Sequence, residues 1–119
     1  MLDARTEQLR TRTKNFAIRV VHLFRSLPPA TDAQIIGKQL LRSGTAVGAN
    51  YRAACRARSK AEFVSRIGIV TEEADESTYW IELLAELGVM KKERLEGLLR
   101  ESVELTAIFS ASRKTAKEG

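Results

Sequence analysis

The residues best placed to do chemistry in this sequence are basic, and they cluster. Arg52, Arg56, Arg58 and Lys60 fall within one short segment. Arg52 and Arg56 are four apart, which puts them on one surface of a helix. Arg10, Arg12, Lys14 and Arg19 form a second concentration, flanked by Arg5 and Arg25. Guanidinium and ammonium groups at this density can neutralise several phosphates together, giving binding that is salt-sensitive and indifferent to base sequence. A solvated charged face is the bland alternative.

Other chemistries find less support. Glu72 and Glu76 stand at i,i+4 and could ligate a metal for phosphodiester cleavage, but no histidine lies near them to complete a site. His22, the one histidine, follows Arg19 by three residues, whereas helical-bundle ribonucleases often space arginine and histidine by four to six. A nucleophile–histidine pair would also have to use His22, which sits beside core positions. Cys55 is the lone cysteine, so no internal disulfide forms, and with one histidine it makes no zinc site. Gly44 and Gly48 lack the GxxxxGK[ST] spacing of a phosphate loop. The expectation is a protein with no catalytic site, metal or cofactor.

Charge is unevenly spread. The 119 residues carry a net +5 with a sequence pI near 9.7, yet residues 1–60 alone hold a net +9 and residues 61–119 a net −4. Such asymmetry fits either a polyanion partner or mutual neutralisation of the halves within or between subunits. The charged opening residues do not read as a signal peptide, and no apolar run is long enough to span a membrane. A cytoplasmic location is the expectation.

The elements that must position these groups are helices. Phe16, Val20, Leu23, Phe24 and Leu27 recur at three-and-four spacing on a first helix that Pro28 and Pro29 end. Thr31 with Gln34 reads as a capping box for a second helix striped by Ile36, Leu40, Ser43, Val47, Asn50 and Ala54. Ser59 with Glu62 reads as another, opening a third helix striped by Phe63, Ile67, Val70, Ala74, Ser77, Ile81 and Leu84 and closed by Gly88. Leu95, Leu98, Leu99, Leu105 and Phe109 mark a fourth, fading into a polar tail. Helices over about 5–27, 32–57, 60–87 and 91–113, joined by short turns, predict one all-α domain: an antiparallel up-down-up-down four-helix bundle. Ile18, Val21 and Ile69 fall off the stripes, which fits either scattered surface residues or oligomer contacts through the first and third helices.

Two helical glycines within one turn, Gly44 and Gly48, each cost about 1 kcal/mol relative to alanine, and close helix–helix approach is the offsetting gain. Arg42, Asn50, Tyr51 and Arg52 lie near that small-residue face. The acidic run of the third helix, with Glu73 and Glu76, offers partners to arginines of the second, fixing register. Tyr79 and Trp80 read as core and interface aromatics.

The segment LLRSGTAVGANYRAA, followed by S-x-x-EF and then E-x-x-E-S-T-YW-I-x-LL, resembles the small four-helix-bundle family encoded within intervening sequences of bacterial 23S ribosomal RNA genes. The accessory variability determinant of diversity-generating retroelements is similar. The resemblance spans nearly the whole chain, closely on the second and third helices. It implies a ring-shaped homopentamer with basic surfaces and, for the retroelement branch, binding to RNA or DNA and to a reverse transcriptase. It carries no catalytic activity, and it makes Arg42, Ser43, Gly44, Gly48, Asn50, Tyr51, Arg52, Glu73, Glu76, Tyr79 and Trp80 scaffold residues. One departure is Glu72, where relatives often have lysine, which makes the third helix more acidic. A non-catalytic, oligomeric nucleic-acid-binding accessory protein is therefore expected, with a protein-interaction scaffold as the alternative and a metal-dependent nuclease last.

Overall fold

The structure, a computed structural model, describes residues 3–119. It contains four helices and, among the described residues, no strand: α1 (Ala4–Arg25), α2 (Thr31–Cys55), α3 (Lys60–Glu86) and α4 (Glu93–Glu118). They form a bundle of 46 × 23 × 21 Å. Each helix packs most on its neighbours in sequence, and the α1–α4 seam is the least intimate.

The helix ends follow from local hydrogen bonding, with two corrections to the sequence reading. Asp3 caps α1 by accepting the Thr6 N–H at 2.8 Å, and Ser59 caps α3 by accepting the Glu62 N–H at 3.0 Å. Glu62 reaches back to the N–H of Arg58 at 3.1 Å, one residue beyond the position a strict capping box would use. Thr31 does not cap α2. The extended backbone of Ala30 after the two prolines starts the helix one residue early, so Ala30 is the N-cap and Thr31 is already helical. Gln34 donates instead to the Pro28 carbonyl at 3.0 Å, and Asp32 accepts the Ala33 N–H at 2.9 Å. Gly88 takes φ +66°, and the Val89 N–H returns to the Leu84 carbonyl, closing α3 in the left-handed turn that glycine permits.

The second correction concerns the tail. Residues 114–118 continue α4 past its expected end near 113, because Lys, Thr, Ala and Glu in this stretch contain no helix breaker, and Ala116 faces Arg5 and Phe63.

The core is the expected set of stripes: Phe16 and Val20 of α1, Leu40 and Val47 of α2, Ile67, Val70, Ala74 and Ile81 of α3, and Leu95, Leu105 and Phe109 of α4 are all buried. Tyr51, beside the small-residue face, is buried too and lies with its ring centroid 5.1 Å from that of Phe109. Ile18 and Ile69 are exposed, as their off-stripe positions predict.

The glycines of α2 explain its approach to α1. A Cβ on Gly44 would stand 2.8 Å from a methyl of Val20, and one on Gly48 would stand 3.3 Å from the hydroxyl of Thr13. Gly37 meets Phe24 and Leu27. Hydroxyls link the other seams: buried Ser77 to Ser43 at 2.9 Å across α2–α3, and half-buried Thr78 to Ser102 at 2.8 Å across α3–α4.

Candidate nucleic-acid interface

Tight packing of α2 on α1 has a consequence at the surface. Gly48, Ala49 and Thr45 on α2 and Ala17 and Thr11 on α1 are too small to fill the crease between the helices, leaving an open groove of about 470 Å³. Three cations from the basic segments edge it: Arg10 and Lys14 one turn apart on α1, and Arg52 on α2. Glu7 joins the lining and stands 3.9 Å from Arg10, an exposed i,i+3 pair of small energetic weight. Lys14 and Arg52 have no carboxylate within 4.0 Å among the described residues. The groove thus offers guanidinium and ammonium donors with little internal competition, and its floor of methyl groups and backbone is uncharged.

The other candidate cations go elsewhere. Arg12 points across the α1–α4 seam and makes a two-pronged contact with Glu101, Nε to Oε2 at 2.7 Å and Nη2 to Oε1 at 2.8 Å, while also reaching Glu104 at 3.1 Å. Its hydrogen bond to Glu101 holds the Arg12 guanidinium above its ordinary range and Glu101 below the usual carboxylate range. Arg19 also faces the α1–α4 seam, beside His22 and Arg94. Arg56, Arg58 and Lys60 are exposed around the α2–α3 turn, Arg58 standing 3.8 Å from Glu62. Three of the eight candidate cations therefore share one groove.

The scaffold residues also have assignable places. Arg42 bridges α2 to α3, donating to both carboxylate oxygens of Glu73, at 3.1 and 3.3 Å, and to Glu76. Trp80 donates its indole N–H to the same Glu76 oxygen at 2.9 Å, and Tyr79 packs edge-on against Trp80 while 55% exposed. Tyr79 is therefore a surface residue, and Trp80 a half-buried one. The Trp80 hydrogen bond, followed by the Arg42 contacts, holds Glu76 below its ordinary range. Asn50 turns back to its own helix, donating to the Ala46 carbonyl at 2.9 Å. Glu72, the other half of the metal-ligand pair, is exposed, and no cluster of three or more His, Cys, Asp or Glu side chains able to hold a metal occurs among the described residues.

A second basic groove was not read from the sequence. Arg113, Lys114 and Lys117 of α4 face Ser65, Gly68, Ile69 and Glu72 of α3. Their three-and-four spacing in the tail was the available signal, obscured by treating that tail as non-helical. No described helix is long and apolar enough to cross a membrane.

Comparison with known proteins agrees with this architecture. The family model described as 23S rRNA-intervening sequence protein matches residues 6–111. A solved structure of a protein of unknown function from the S23 ribosomal protein family, from Bacteroides thetaiotaomicron VPI-5482, is 33% identical over 92% of this chain and 97% of its own, with a TM-score of 0.84. A comparison with curated proteins finds no match. On the family match across nearly its full length, the chain belongs to the 23S rRNA-intervening sequence protein family.

Proposed function

We propose that this protein is a non-catalytic, oligomeric accessory protein that binds nucleic acid through its phosphates. The observation that carries the reading is the convergence of Arg10, Lys14 and Arg52 from two helices on one groove with an uncharged floor. A phosphate backbone lying in that groove meets donors from both sides and needs no base contact. The family's link to ribosomal RNA intervening sequences supports RNA as the first polymer to try, with DNA as the comparison.

In the same reading the helices alternate up-down-up-down and the bundles assemble into a ring-shaped homo-oligomer, a pentamer favoured, in the cytoplasm. Ile18, Ile35, Ile69, Tyr79 and Val103 are large side chains left exposed that assembly would cover. Association with a reverse transcriptase is the corresponding role if the protein serves a retroelement. A protein-interaction scaffold without nucleic-acid affinity is favoured by the same exposed side chains and is the second reading.

Gel retardation separates the two. The wild-type protein shifts RNA or DNA at low salt, and the triple variant Arg10→Glu, Lys14→Glu, Arg52→Glu does not. If the groove neutralises three phosphates, these contacts contribute a slope of about −2.1 on single strands and about −2.7 on duplex DNA to the fall of wild-type log affinity with log salt. No retardation at low salt defeats the reading in favour of the scaffold.

A further inference from the structure

Two guanidinium groups and the sole imidazole of the chain are brought together across the seam that packs least closely. Arg19 and His22 of α1 and Arg94 of α4 line a surface depression of about 240 Å³ with Ser26, Leu23 and Leu98. No carboxylate lines it, and neither arginine has one within 4.0 Å among the described residues. Arg19 acts on Glu101 at longer range, and Glu101 is already gripped by Arg12. The arginines came from distant parts of the sequence, so only the fold creates the cluster.

Like charges held together on a surface repel, and the repulsion falls when a counter-anion sits between them. The neighbouring level of the same seam shows the opposite arrangement, with Arg12 tied to Glu101 and Glu104. Arg19 reaches across to α4: a Cβ on Gly97 would stand 3.1 Å from its Nη2, so the guanidinium lies close over the bare backbone of that helix. The depression is smaller than the about 300–1,000 Å³ typical of whole small-molecule sites, which suits an anionic head group and not a complete nucleoside.

We propose that Arg19, His22 and Arg94 form a phosphate-binding site that joins α1 to α4 when occupied. The two arginines supply fixed positive charge and planar arrays of donors. His22 adds a further hydrogen-bond donor beside them. The charged groups lining the site with His22 are Arg19 on its own helix and Arg94 on α4, and both favour an anion. The site takes either a terminal phosphate or a backbone phosphodiester; this choice of source rests on the nucleic-acid reading above, and the anion site itself does not.

The single histidine makes the test direct. In the full-length protein, the His22 ring-proton resonances are followed by NMR while inorganic phosphate is added at constant ionic strength against chloride. The resonances move saturably in wild type, and the response is lost in Arg19→Gln and in Arg94→Gln. A non-saturating response, or one that persists in both arginine variants, overturns the proposal. Short oligonucleotides with and without a 5′-phosphate then separate the sources: a response at lower concentration with the phosphorylated one identifies a terminal phosphate, and equal responses a backbone phosphate. Because inorganic phosphate needs no nucleic acid, a positive anion response with no gel retardation leaves the site standing while the nucleic-acid reading falls. Gel retardation with no anion response does the reverse.

Discussion

Arg12 of α1 holds Glu101 of α4 through two nearly parallel hydrogen bonds of 2.7 and 2.8 Å, across the seam where the bundle is otherwise least closely packed. Fork-to-fork geometry is the strongest form of arginine–carboxylate pairing, while partial exposure of Arg12 screens it. Arg12→Ala is expected to cost about 1 kcal/mol at pH 7 by urea denaturation. Because Glu101 titrates below its ordinary 4.5 in the folded state, the pair's contribution is present above that pH and lost as pH falls through the lower folded value. Wild type and Glu101→Gln should therefore converge in stability in acid. A gap that is the same at pH 3 and pH 7 would refute the assignment.

The glycines should divide by what they face. A Cβ on Gly44 collides with Val20 at three atoms between 2.8 and 3.2 Å, and a β-branched side chain cannot rotate away. Gly44→Ala is expected to destabilise by about 1–3 kcal/mol. Gly68 meets only the flexible Arg113 side chain, at 3.1 Å. Gly68→Ala should accordingly gain up to about 1 kcal/mol from helix propensity. Thermal melts of the two variants should move in opposite directions.

Tyr51 predicts behaviour in alkali. Burial, with added opposition from Cys55, pushes its phenol up to about 12. A folded-state value raised above the ordinary 10.0 means stability fully present below pH 10 and lost as pH rises towards 12. Tyr51→Phe removes that alkaline loss, measured by denaturation at pH 8 and pH 11. An unchanged alkaline slope in the variant would show that Tyr51 is not its source.

Trp80, the only tryptophan, reports on Glu76 through the indole hydrogen bond of 2.9 Å. Its emission should change in acid with a midpoint below the ordinary glutamate value of 4.5, and Arg42→Ala should move that midpoint upward. A wild-type midpoint at or above 4.5 would contradict the network.

The helices were legible because each buries one stripe, and a three-and-four repeat survives any detail of packing. Ser59 was legible as a cap because its hydroxyl accepts the Glu62 N–H as the sequence pattern implies, whereas Thr31 was not: the backbone after Pro28 and Pro29 places the N-cap one residue earlier, at Ala30. The extent of α4 was hidden because its last turns are polar and gain their place from Phe63 and Val64 of α3. The site was half visible. Composition located the cations, but which helix face each occupies decides partnership, so Lys14 and Arg52 share a groove while Arg12, two residues before Lys14, serves an ion pair. Arg94 could not be linked to Arg19 and His22 without the α1–α4 seam itself.

The hydroxyl contacts Ser77–Ser43 and Thr78–Ser102 also set a scale of position. Leucine and isoleucine rows tolerate a slide of one helical turn, since one apolar side chain replaces another at similar cost. A turn's slide of α3 would carry both hydroxyls past their cross-helix partners, leaving each only the carbonyl it reaches on its own helix, that of Glu73 for Ser77 and of Ala74 for Thr78. α3 is thereby indexed against α2 on one side and α4 on the other, like a shaft keyed at two points. The groove between α3 and α4, where Arg113, Lys114 and Lys117 face Gly68 and Glu72, inherits that fixed alignment.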